Sequence, residues 1–404
     1  MITGRVTPLI SGRNLRRAST AAGGTGKFDA KKLEFHRSPV SRIIPKEIPP
    51  FGTVATDHML EIDYKGGEWQ TPVIRAVEDL RIHPLSKVLH YCPVIIEGLK
   101  AFRGIDGQIR IFRGDASMTR MLASAKRAAL PEFCPSQLEE MIVGLVRIDK
   151  EWIPSNEGTA LYIRPLMAGL GVTRSKMAKL VVVCSPVGSY LTTGALKLYA
   201  NPTHSRVAPG SAGAFKMGCN YAPTIALTDE AAAHGCAQSL WLWGDKQLIT
   251  EAGTSNLFLF WKDKSGELEL ITPPTQGGLI LPGITRDSIL TLAREWAEFK
   301  VTERFPTMGE LMEAANDGRI LEVFCSGTAS VVMPCDRIVY KEKLYEDPVE
   351  ISVPYQVHGD SLYKRLHEAI TGIQYGKIDR PEWIRIVNPS TAATGKLSKS
   401  EFFL

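Results

Sequence analysis

The sequence predicts an α+β protein of two α/β-containing domains joined by an interdomain loop. Strand-like runs alternate with helix-like segments along most of the 404 residues, and turn signals typical of β-hairpins recur in both halves. The stretch 186–214, dominated by Pro, Gly, Ser and Thr, marks a boundary between two folded regions. The expected divisions are a leader at 1–28, a small N-terminal domain at 29–187, the interdomain loop at 188–198, a large domain at 199–387 and a C-terminal extension at 388–404.

The first half contains short apolar runs bounded by Gly, Pro or Asp-Gly, which are typical of strands. The predicted strands are 58–63, 69–74, 88–91, 99–103, 109–112, 161–167 and 179–184. A helix is predicted at 117–130. A second begins at Ser136, because Ser136 and Glu139 have the spacing of a capping box.

The second half repeats this alternation. The predicted strands are 239–243, 247–250, 256–262, 320–325, 329–333 and 338–340. Helices are predicted at 223–234, 285–299 and 360–373, and one more begins at Thr307, which forms a capping box with Glu310. Hairpins therefore occur in both predicted domains, as an α+β class requires.

The composition excludes several classes of protein. The chain is 44% hydrophobic and 23% charged, as in ordinary globular proteins, and no uncharged apolar run approaches the roughly 18 residues of a membrane span. Seven scattered cysteines without a C-x-x-C pair predict a reducing compartment and no disulfide framework. The histidines lack metal-ligand spacing, so no metal site is expected.

The net charge of +5 is concentrated at the N-terminus. Residues 1–28 contain five Lys and Arg and no acidic residue, which leaves 43 basic residues to match the 43 acidic ones. An Arg-rich, hydroxyl-rich, acid-free segment predicts a transit peptide and a mitochondrial matrix location. The same composition also fits a disordered basic tail on a cytoplasmic protein. Nucleic-acid binding is not expected, because the basic excess lies in this segment and forms no patterned face.

Three local features can carry chemistry. Lys216 lies among small residues just ahead of a predicted helix, with Tyr221 five residues later, and a lysine in a confined site can form a Schiff base. The segment 250–256 places the carboxylate of Glu251 before a Gly and hydroxyl residues. The segments 281–286 and 326–329 together offer a predicted helix start and hydroxyl side chains. This combination suits the binding of an anion. Taken singly, Lys216 also fits a solvated surface charge, and 250–256 an ordinary polar turn.

Together the motifs resemble the branched-chain amino-acid aminotransferases, a family of the pyridoxal-phosphate fold type IV, and the eukaryotic type most of all. The resemblance extends from about residue 50 to about residue 385. The motifs that carry it are EGLKAF (97–102), LYIRP (161–165), K-x-G-x-NY (216–221), TEAGTSN (250–256), LPGITR (281–286) and SGTAS (326–330).

The resemblance implies pyridoxal 5'-phosphate as the cofactor, bound at the interface of the two domains. It assigns catalytic roles to Lys216 as the Schiff-base lysine and proton carrier, to Glu251 facing the pyridine nitrogen, and to Tyr221 bonding the phenolate oxygen. The other implied cofactor-binding residues are Arg120, Thr254, Leu281, Ile284, Thr285 and Thr328.

For the substrate side, the resemblance implies an aromatic wall with an arginine at its edge. The implied substrate-binding residues are Tyr91, Tyr162, Arg164, Tyr190, Thr254 and Ala329. An arginine at the rim of an apolar pocket would accept the γ-carboxylate of glutamate without excluding an aliphatic chain. The expected reaction transfers an amino group between Leu, Ile or Val and 2-oxoglutarate. Because Tyr91 reaches the partner's pocket in this family, a homodimer is implied.

Four departures from the family pattern stand out. Ile96 replaces an aromatic pocket residue, Ser330 and Met333 replace the mammalian redox C-x-x-C, the connection 167–177 is short, and residues 388–404 extend past the family's usual end. Ile96 leaves open a specialised aliphatic aminotransferase of secondary metabolism. A D-amino-acid aminotransferase, an aminodeoxychorismate lyase or a non-catalytic member would share part of the pattern. The LYIRP motif and the intact set of Lys216, Tyr221, Glu251 and Arg120 argue against these three.

Overall fold

The structure, a computed structural model, describes residues 28–170, 176–188, 194–342, 346–355 and 361–387. These residues form two compact units. The N-terminal unit contains the described residues up to 188, the segment Phe215–Cys219 and residues 369–387. The C-terminal unit contains the described residues of 194–214 and 220–368. No helix within these ranges is long and apolar enough to cross a bilayer.

Strands and helices alternate along the chain, as predicted for this class. The strands are β1 (Glu34–Phe35), β2 (His58–Lys65), β3 (Glu68–Trp69), β4 (Val73–Ala76), β5 (Val94–Ile96), β6 (Leu99–Arg103), β7 (Ile109–Phe112), β8 (Ala160–Leu170), β9 (Met177–Val187), β10 (Leu196–Ala200), β11 (Gln238–Trp243), β12 (Leu248–Ala252), β13 (Ser255–Lys262), β14 (Leu268–Thr272), β15 (Lys300–Glu303), β16 (Ile320–Gly327), β17 (Val331–Tyr340), β18 (Val349–Ser352) and β19 (Ile384–Val387). The helices are α1 (Lys87–Tyr91), α2 (Gly114–Arg127), α3 (Pro135–Ile148), α4 (Ile225–Ala233), α5 (Ile284–Trp296), α6 (Met308–Asn316) and α7 (Leu362–Gln374).

The N-terminal unit is built on one sheet in the order β1-β4-β2-β9-β8-β6-β7-β19, with β3 added to β2 and β5 added to β8. Helices α2 and α3 contact each other, and α3 also contacts β2. Leu138, Met141 and Leu145 of α3 are fully buried in one core with Leu60 and Ile62 of β2. The apolar face of this helix therefore packs on the sheet.

The C-terminal unit is built on a second sheet in the order β12-β11-β10-β17-β16-β13-β14-β15, with β18 added to β17. An additional pairing of β12 with β13 closes strands β12, β11, β10, β17, β16 and β13 into a ring. Helices α5 and α6 contact β16. This closure brings the ends of β12, β13 and β16 together, and the polar motifs of this unit lie there.

The predicted strand at 88–91 is wrong. These residues belong to helix α1, which follows Ser86 and ends at Cys92 in the left-handed region (φ 50°). A short apolar run has no clear periodicity, so length and flanking residues decide between strand and helix. Here α1 buries none of its residues, so no sheet packing selects a strand.

The two predicted capping boxes have different outcomes. Thr307 and Glu310 form one at the start of α6, which confirms that prediction. The box predicted at Ser136 is wrong, because α3 begins one residue earlier, at Pro135, with Cys134 at the N-cap and no side-chain cap. Proline is favoured at the first helical position, since its missing N–H would lack an intrahelical partner there anyway.

Some predicted boundaries also differ. The strands predicted at 329–333 and 338–340 are one strand, β17, and the run 69–74 is divided into β3 and β4 around Pro72. The helix predicted at 117–130 begins and ends three residues earlier, as α2.

The chain divides differently from the predicted domain limits. Residues 369–387 belong to the N-terminal unit, because β19 pairs with β7 in its sheet. Phe28, the last residue of the predicted leader, is buried against Trp69 and Phe133 in the same unit. The rest of the leader, residues 171–175 of the short connection, and the extension 388–404 lie outside the described residues.

Candidate active site

The predicted site residues divide between the two units. The N-terminal unit contains Tyr91, Arg120, Tyr162, Arg164 and Lys216. The C-terminal unit contains Tyr221, Glu251, Thr254, Leu281, Ile284, Thr285, Thr328 and Ala329. Tyr190 lies outside the described residues.

Lys216 is held through its backbone. Its carbonyl oxygen accepts a hydrogen bond from the N–H of Ile96 at 3.0 Å, and its own N–H donates to Ser124 Oγ at 3.0 Å. A further antiparallel bridge joins Ile95 to Met217. The lysine is therefore anchored on one side to β5 and on the other to α2.

Arg120, the predicted phosphate-binding residue, forms a buried fork with Glu97. Its Nε donates to Glu97 Oε1 and its Nη2 to Glu97 Oε2, both at 2.7 Å. Glu97 is fully buried and Arg120 is 7% exposed. A bidentate, charge-assisted pair fixes the plane of the guanidinium, so Glu97 determines where Arg120 points.

Tyr162 and Arg164 lie two residues apart on β8, so both side chains project from the same face of the sheet. Phe51 packs edge-on against Tyr162 with ring centroids 4.9 Å apart. The Arg164 guanidinium lies 5.0 Å from the centre of the Tyr162 ring and 5.8 Å from that of Phe51. Gly98 leaves room for this arrangement, because a Cβ there would lie 2.0 Å from the Tyr162 hydroxyl oxygen.

The register of neighbouring strands adds two residues to this face. Lys100 of β6 is directly opposite Tyr162, and Ile96 of β5 is directly opposite Leu166. Directly opposed residues share a face, so Ile96, Lys100, Tyr162 and Arg164 lie on the same side. Lys100 is 6% exposed, and burial lowers its pKa to about 8.

Tyr91 is arranged quite differently. It ends α1 and is 73% exposed. Its ring lies near that of His90, with 6.1 Å between the two centroids. Within the described part of this chain Tyr91 is therefore a surface residue.

In the C-terminal unit, Glu251 is 3% exposed and its carboxylate is surrounded by donors. Oε1 accepts hydrogen bonds from Asn256 Nδ2 and from the Leu281 N–H, both at 3.1 Å. Oε2 accepts from Nη2 of Arg206. Hydrogen bonds and a neighbouring cation both favour the charged form of a carboxylate, so the surroundings stabilise Glu251 as an anion.

The start of α5 lies beside the same asparagine. Gly283 is the N-cap and provides no side-chain cap for the first N–H groups, which belong to Ile284 and Thr285. A Cβ on Gly283 would lie 1.9 Å from Asn256 Oδ1, so glycine is required for this close approach. The helix start thus presents uncapped donors and a positive end of its dipole, features that favour an anion.

Two turns complete this region. Thr254 lies in the turn between β12 and β13, and Thr328 and Ala329 lie in the turn between β16 and β17. Asn256 of β13 pairs with Ser326 of β16, which places both turns at the same end of these strands. The structure therefore brings Glu251, Thr254, Leu281, the α5 start and Thr328 into one neighbourhood.

Tyr221 precedes a short 3-10 helix, Ala222–Thr224. Its carbonyl oxygen accepts hydrogen bonds from Thr224 Oγ1 at 2.7 Å and from the Thr224 N–H at 3.0 Å. The preceding residue, Asn220, is buried and donates to the Ala212 carbonyl at 2.8 Å. These bonds fix the backbone on both sides of the tyrosine.

Sequence reasoning missed several residues of this geometry. Asn256 could have been predicted from the sequence, since it ends the TEAGTSN motif. No sequence pattern indicates Arg206 or Phe51, because both lie in irregular segments without periodicity. Glu97 and Ser124 act through tertiary contacts with Arg120 and Lys216 that spacing does not reveal. No group of three or more His, Cys, Asp or Glu suited to a metal occurs among the residues that the structure describes.

Comparison with known proteins gives independent evidence on the family of this chain. Residues 95–338 match the family Amino-transferase class IV. The cytosolic branched-chain-amino-acid aminotransferase of Rattus norvegicus is 47% identical over 342 residues, which cover 82% of this chain and 81% of that protein. The mitochondrial branched-chain-amino-acid aminotransferase of Bos taurus is 42% identical over 361 residues, which cover 87% and 90%.

A solved structure shows the same similarity. The T.th. branched-chain amino acid aminotransferase, complexed with N-(5'-phosphopyridoxyl)-L-glutamate, superposes with a TM-score of 0.60 at 26% identity. The match covers 81% of this chain and 98% of that one. The likeness therefore includes both sequence and fold over most of the described chain.

Proposed function

The chain belongs to the class IV amino-transferases, among the branched-chain-amino-acid aminotransferases, and from this premise we propose that it transfers the amino group of Leu, Ile or Val to 2-oxoglutarate with pyridoxal 5'-phosphate. The products are the branched-chain 2-oxo acids and L-glutamate. The observation that carries this proposal is the buried carboxylate of Glu251, held as an anion by Arg206 beside the uncapped start of α5.

The donor set fits a cofactor with a basic ring nitrogen and a phosphate. A buried anionic carboxylate suits a protonated pyridine nitrogen, and Glu251 is such a group. In the C-terminal unit the uncapped N–H groups of Ile284 and Thr285 suit a phosphate. In the N-terminal unit the guanidinium of Arg120 is a group of the same kind. When bound, pyridoxal 5'-phosphate supplies an electron-accepting ring that acidifies the Cα proton of an attached amino acid.

Each of the proposed site residues then has a distinct role. The Lys216 amine would hold the cofactor covalently and, once released, take up and return the proton at the substrate Cα as general base and acid. Glu251 would keep a proton on the pyridine nitrogen, and the Tyr221 hydroxyl would donate to the phenolate oxygen. The phosphate would be bound by Arg120, Thr254, Leu281, Ile284, Thr285 and Thr328.

The sheet face of β8 supports the assignment of the substrate side chain. Tyr162 and Phe51 offer an apolar aromatic surface, and Arg164 lies over both rings. A charge-assisted bond from Arg164, worth about 1.5–3 kcal/mol, forms only when the substrate has a second carboxylate. The same pocket can thus accept an aliphatic chain in one half-reaction and glutamate in the other. Tyr91, Tyr190, Thr254 and Ala329 complete the proposed set.

We also propose a homodimer. Helix α1 buries none of its residues, and Tyr91 and Leu89 on it are 73% and 58% exposed. Val40 and Ile43, earlier in the same unit, are 69% and 92% exposed. Exposed apolar side chains of this size are candidates for an interface, and a second copy would cover them. Light scattering of the purified protein should give twice the mass of one chain.

For the cellular location we propose the mitochondrial matrix. The basis is the acid-free, Arg-rich composition of residues 1–28. The relatives include both cytosolic and mitochondrial proteins. A fluorescent fusion of residues 1–35 should enter mitochondria, and a cytosolic fusion would refute the proposal.

The function is tested by one spectroscopic assay. The absorbance of the bound cofactor is followed while L-leucine, D-alanine and L-aspartate are added in turn. We expect L-leucine to convert the cofactor to its amino form, and 2-oxoglutarate to restore it. Conversion by D-alanine without conversion by L-leucine would instead assign a D-amino-acid aminotransferase.

A further inference from the structure

Ser124 connects two residues that the proposed function uses. Its hydroxyl accepts a hydrogen bond from the Lys216 N–H at 3.0 Å and donates one to the Arg120 carbonyl at 3.2 Å. Ser124 is fully buried, on the inner side of α2. Its hydroxyl therefore joins the lysine backbone to the helix turn that carries the arginine.

The other contacts of this region make Ser124 the link between two otherwise separate supports. The Lys216 carbonyl is held by Ile96 of β5, and the Arg120 side chain is held by Glu97, the next residue after β5. These bonds fix the lysine carbonyl and the arginine side chain. The bond to Ser124 fixes the lysine N–H relative to the arginine backbone, and thus the rotation of the peptide that carries the lysine side chain.

We propose that Ser124 is a positioning residue for the lysine: its hydroxyl holds the Lys216 backbone at a set place relative to Arg120, so that the amine returns to the same point each time it is released. The inference rests on the proposed role of Lys216. The amine must alternate between holding the cofactor and carrying the Cα proton, so its side chain moves in every turnover. A mobile side chain delivers its amine accurately only from a fixed backbone, since small errors of position are costly in rate.

Loss of the hydroxyl has a defined consequence. Alanine at 124 removes the acceptor of the Lys216 N–H, which is half-buried. The N–H must then find another partner, and the backbone shifts locally as it does so. The amine is then displaced from its working position, whereas Tyr162 and Arg164 on β8 are untouched. The rate constant kcat should therefore fall while KM for the amino acid stays near its original value.

The chain offers a matched control on the same helix. Ser117 is also buried, and its hydroxyl donates to the Arg113 carbonyl four residues earlier at 3.2 Å, the bond that Ser124 makes to Arg120. Ser117→Ala thus removes the same kind of helix bond from α2 without touching Lys216. Any effect peculiar to Ser124→Ala belongs to the contact with the lysine.

The experiment compares Ser124→Ala and Ser117→Ala as full-length holoenzymes. One readout is kcat and KM for L-leucine; the other is the rate at which borohydride fixes the bound pyridoxal 5'-phosphate to Lys216, followed by peptide mass. For Ser124→Ala we expect both kcat and the fixation rate to fall about tenfold, with KM changed by less than about twofold. Ser117→Ala should match the parent in both. Equal losses in the two variants, or parental values for Ser124→Ala, would overturn the inference.

Lys216→Ala separates this inference from the proposed function. If Lys216→Ala still fixes cofactor at the parental level, the role proposed for Lys216 fails and the inference falls with it. If Lys216→Ala fixes none while Ser124→Ala behaves as the parent, the proposed function stands and only the role of Ser124 is lost.

Discussion

Arg206 forms an ion pair with Glu251 in which only 9% and 4% of the two side chains are exposed to solvent. The other oxygen of Glu251 is occupied by the N–H of Leu281 and by Asn256. A carboxylate so enclosed remains charged only because its partners stay in place. Arg206 therefore contributes both to the stability of the C-terminal unit and to the charge that the proposed cofactor needs.

Substitution of Arg206 by methionine should be costly. Removing one partner of a buried pair leaves an uncompensated charge and typically costs about 3–5 kcal/mol. We expect Arg206→Met to lower the free energy of unfolding by this amount and to weaken the binding of pyridoxal 5'-phosphate. Urea denaturation and equilibrium dialysis with the cofactor measure the two effects.

The exposed pair of Lys264 with Glu313 provides the control. The Lys264 side chain is 75% exposed, and the two charged groups lie 2.8 Å apart. Lys264→Met should change the free energy of unfolding by less than about 1 kcal/mol, because water screens exposed pairs. Similar losses in the two variants would mean that burial does not govern the Arg206 pair.

The contrast between Glu251 and Arg206 shows how far the sequence alone could reach. Glu251 lies in a compact motif with Gly253 and Asn256, so local order pointed to it. Arg206 lies in an irregular segment, 45 residues from Glu251, and no local pattern distinguishes it from a surface arginine. The pairing of β12 with β13 closes six strands into a ring, and the contacts that this closure makes depend on the topology of the sheet. A single sequence does not show that topology.

The helices and strands show the same contrast between local patterns, which a sequence reveals, and long-range contacts, which it does not. Helix α3 was predictable because its apolar residues repeat with helical periodicity and pack on β2. Helix α1 was not, because five residues are too few to show a period and none of them is buried. The return of residues 369–387 to the N-terminal unit depends on the pairing of β19 with β7, a long-range contact without a sequence signal.

Ile96 should influence which aliphatic substrate is preferred. It is directly opposite Leu166, on the face of the sheet that bears Tyr162 and Arg164. A phenylalanine there would occupy space beside the aromatic surface, and one methylene is worth about 1–3 kcal/mol in an apolar pocket. We expect Ile96→Phe to lower kcat/KM for L-leucine about tenfold more than for L-valine.

Ile105→Phe is the control for that change, since Ile105 is 72% exposed and the added ring meets solvent. It should leave the ratio of the two kcat/KM values at the parental level. An unchanged ratio in Ile96→Phe would place the Ile96 side chain outside the substrate pocket.

The cysteines should differ sharply in reactivity. Cys219 is exposed, whereas Cys325 is fully buried and burial raises its pKa to about 12. The thiolate is the reactive form, so at neutral pH Cys325 is protected by both its protonation and its burial. Iodoacetamide should alkylate Cys219 in the native protein and Cys325 only after unfolding, as peptide mass mapping will show. Cys219→Ser should remove the early modification of its own peptide and leave that of the exposed Cys92. Early labelling of Cys325 would contradict this packing.

Glu139 should make the stability of the N-terminal unit depend on pH. Burial, with the negative charge of Asp115 nearby, raises its pKa to about 7, against 4.5 for the ordinary group, and Arg385 opposes the shift only in part. Between these two values the folded state binds the extra proton, so the contribution of Glu139 to stability is fully present below about pH 4.5 and is lost as the pH rises through about 7. Glu139→Gln removes the buried charge and should raise the free energy of unfolding by about 2 kcal/mol at pH 8.

Glu140→Gln distinguishes this effect from a general loss of negative charge. The Glu140 carboxylate accepts a hydrogen bond from Arg385 at 2.6 Å, so its removal forfeits a favourable contact and should give no gain at pH 8. Urea denaturation of both variants and the parent at pH 5 and pH 8 makes the comparison. The advantage of Glu139→Gln should shrink at pH 5, because most of the parent's Glu139 is then already protonated. An equal advantage at both pH values would trace the stabilisation to packing of the amide and exclude the buried charge as its source.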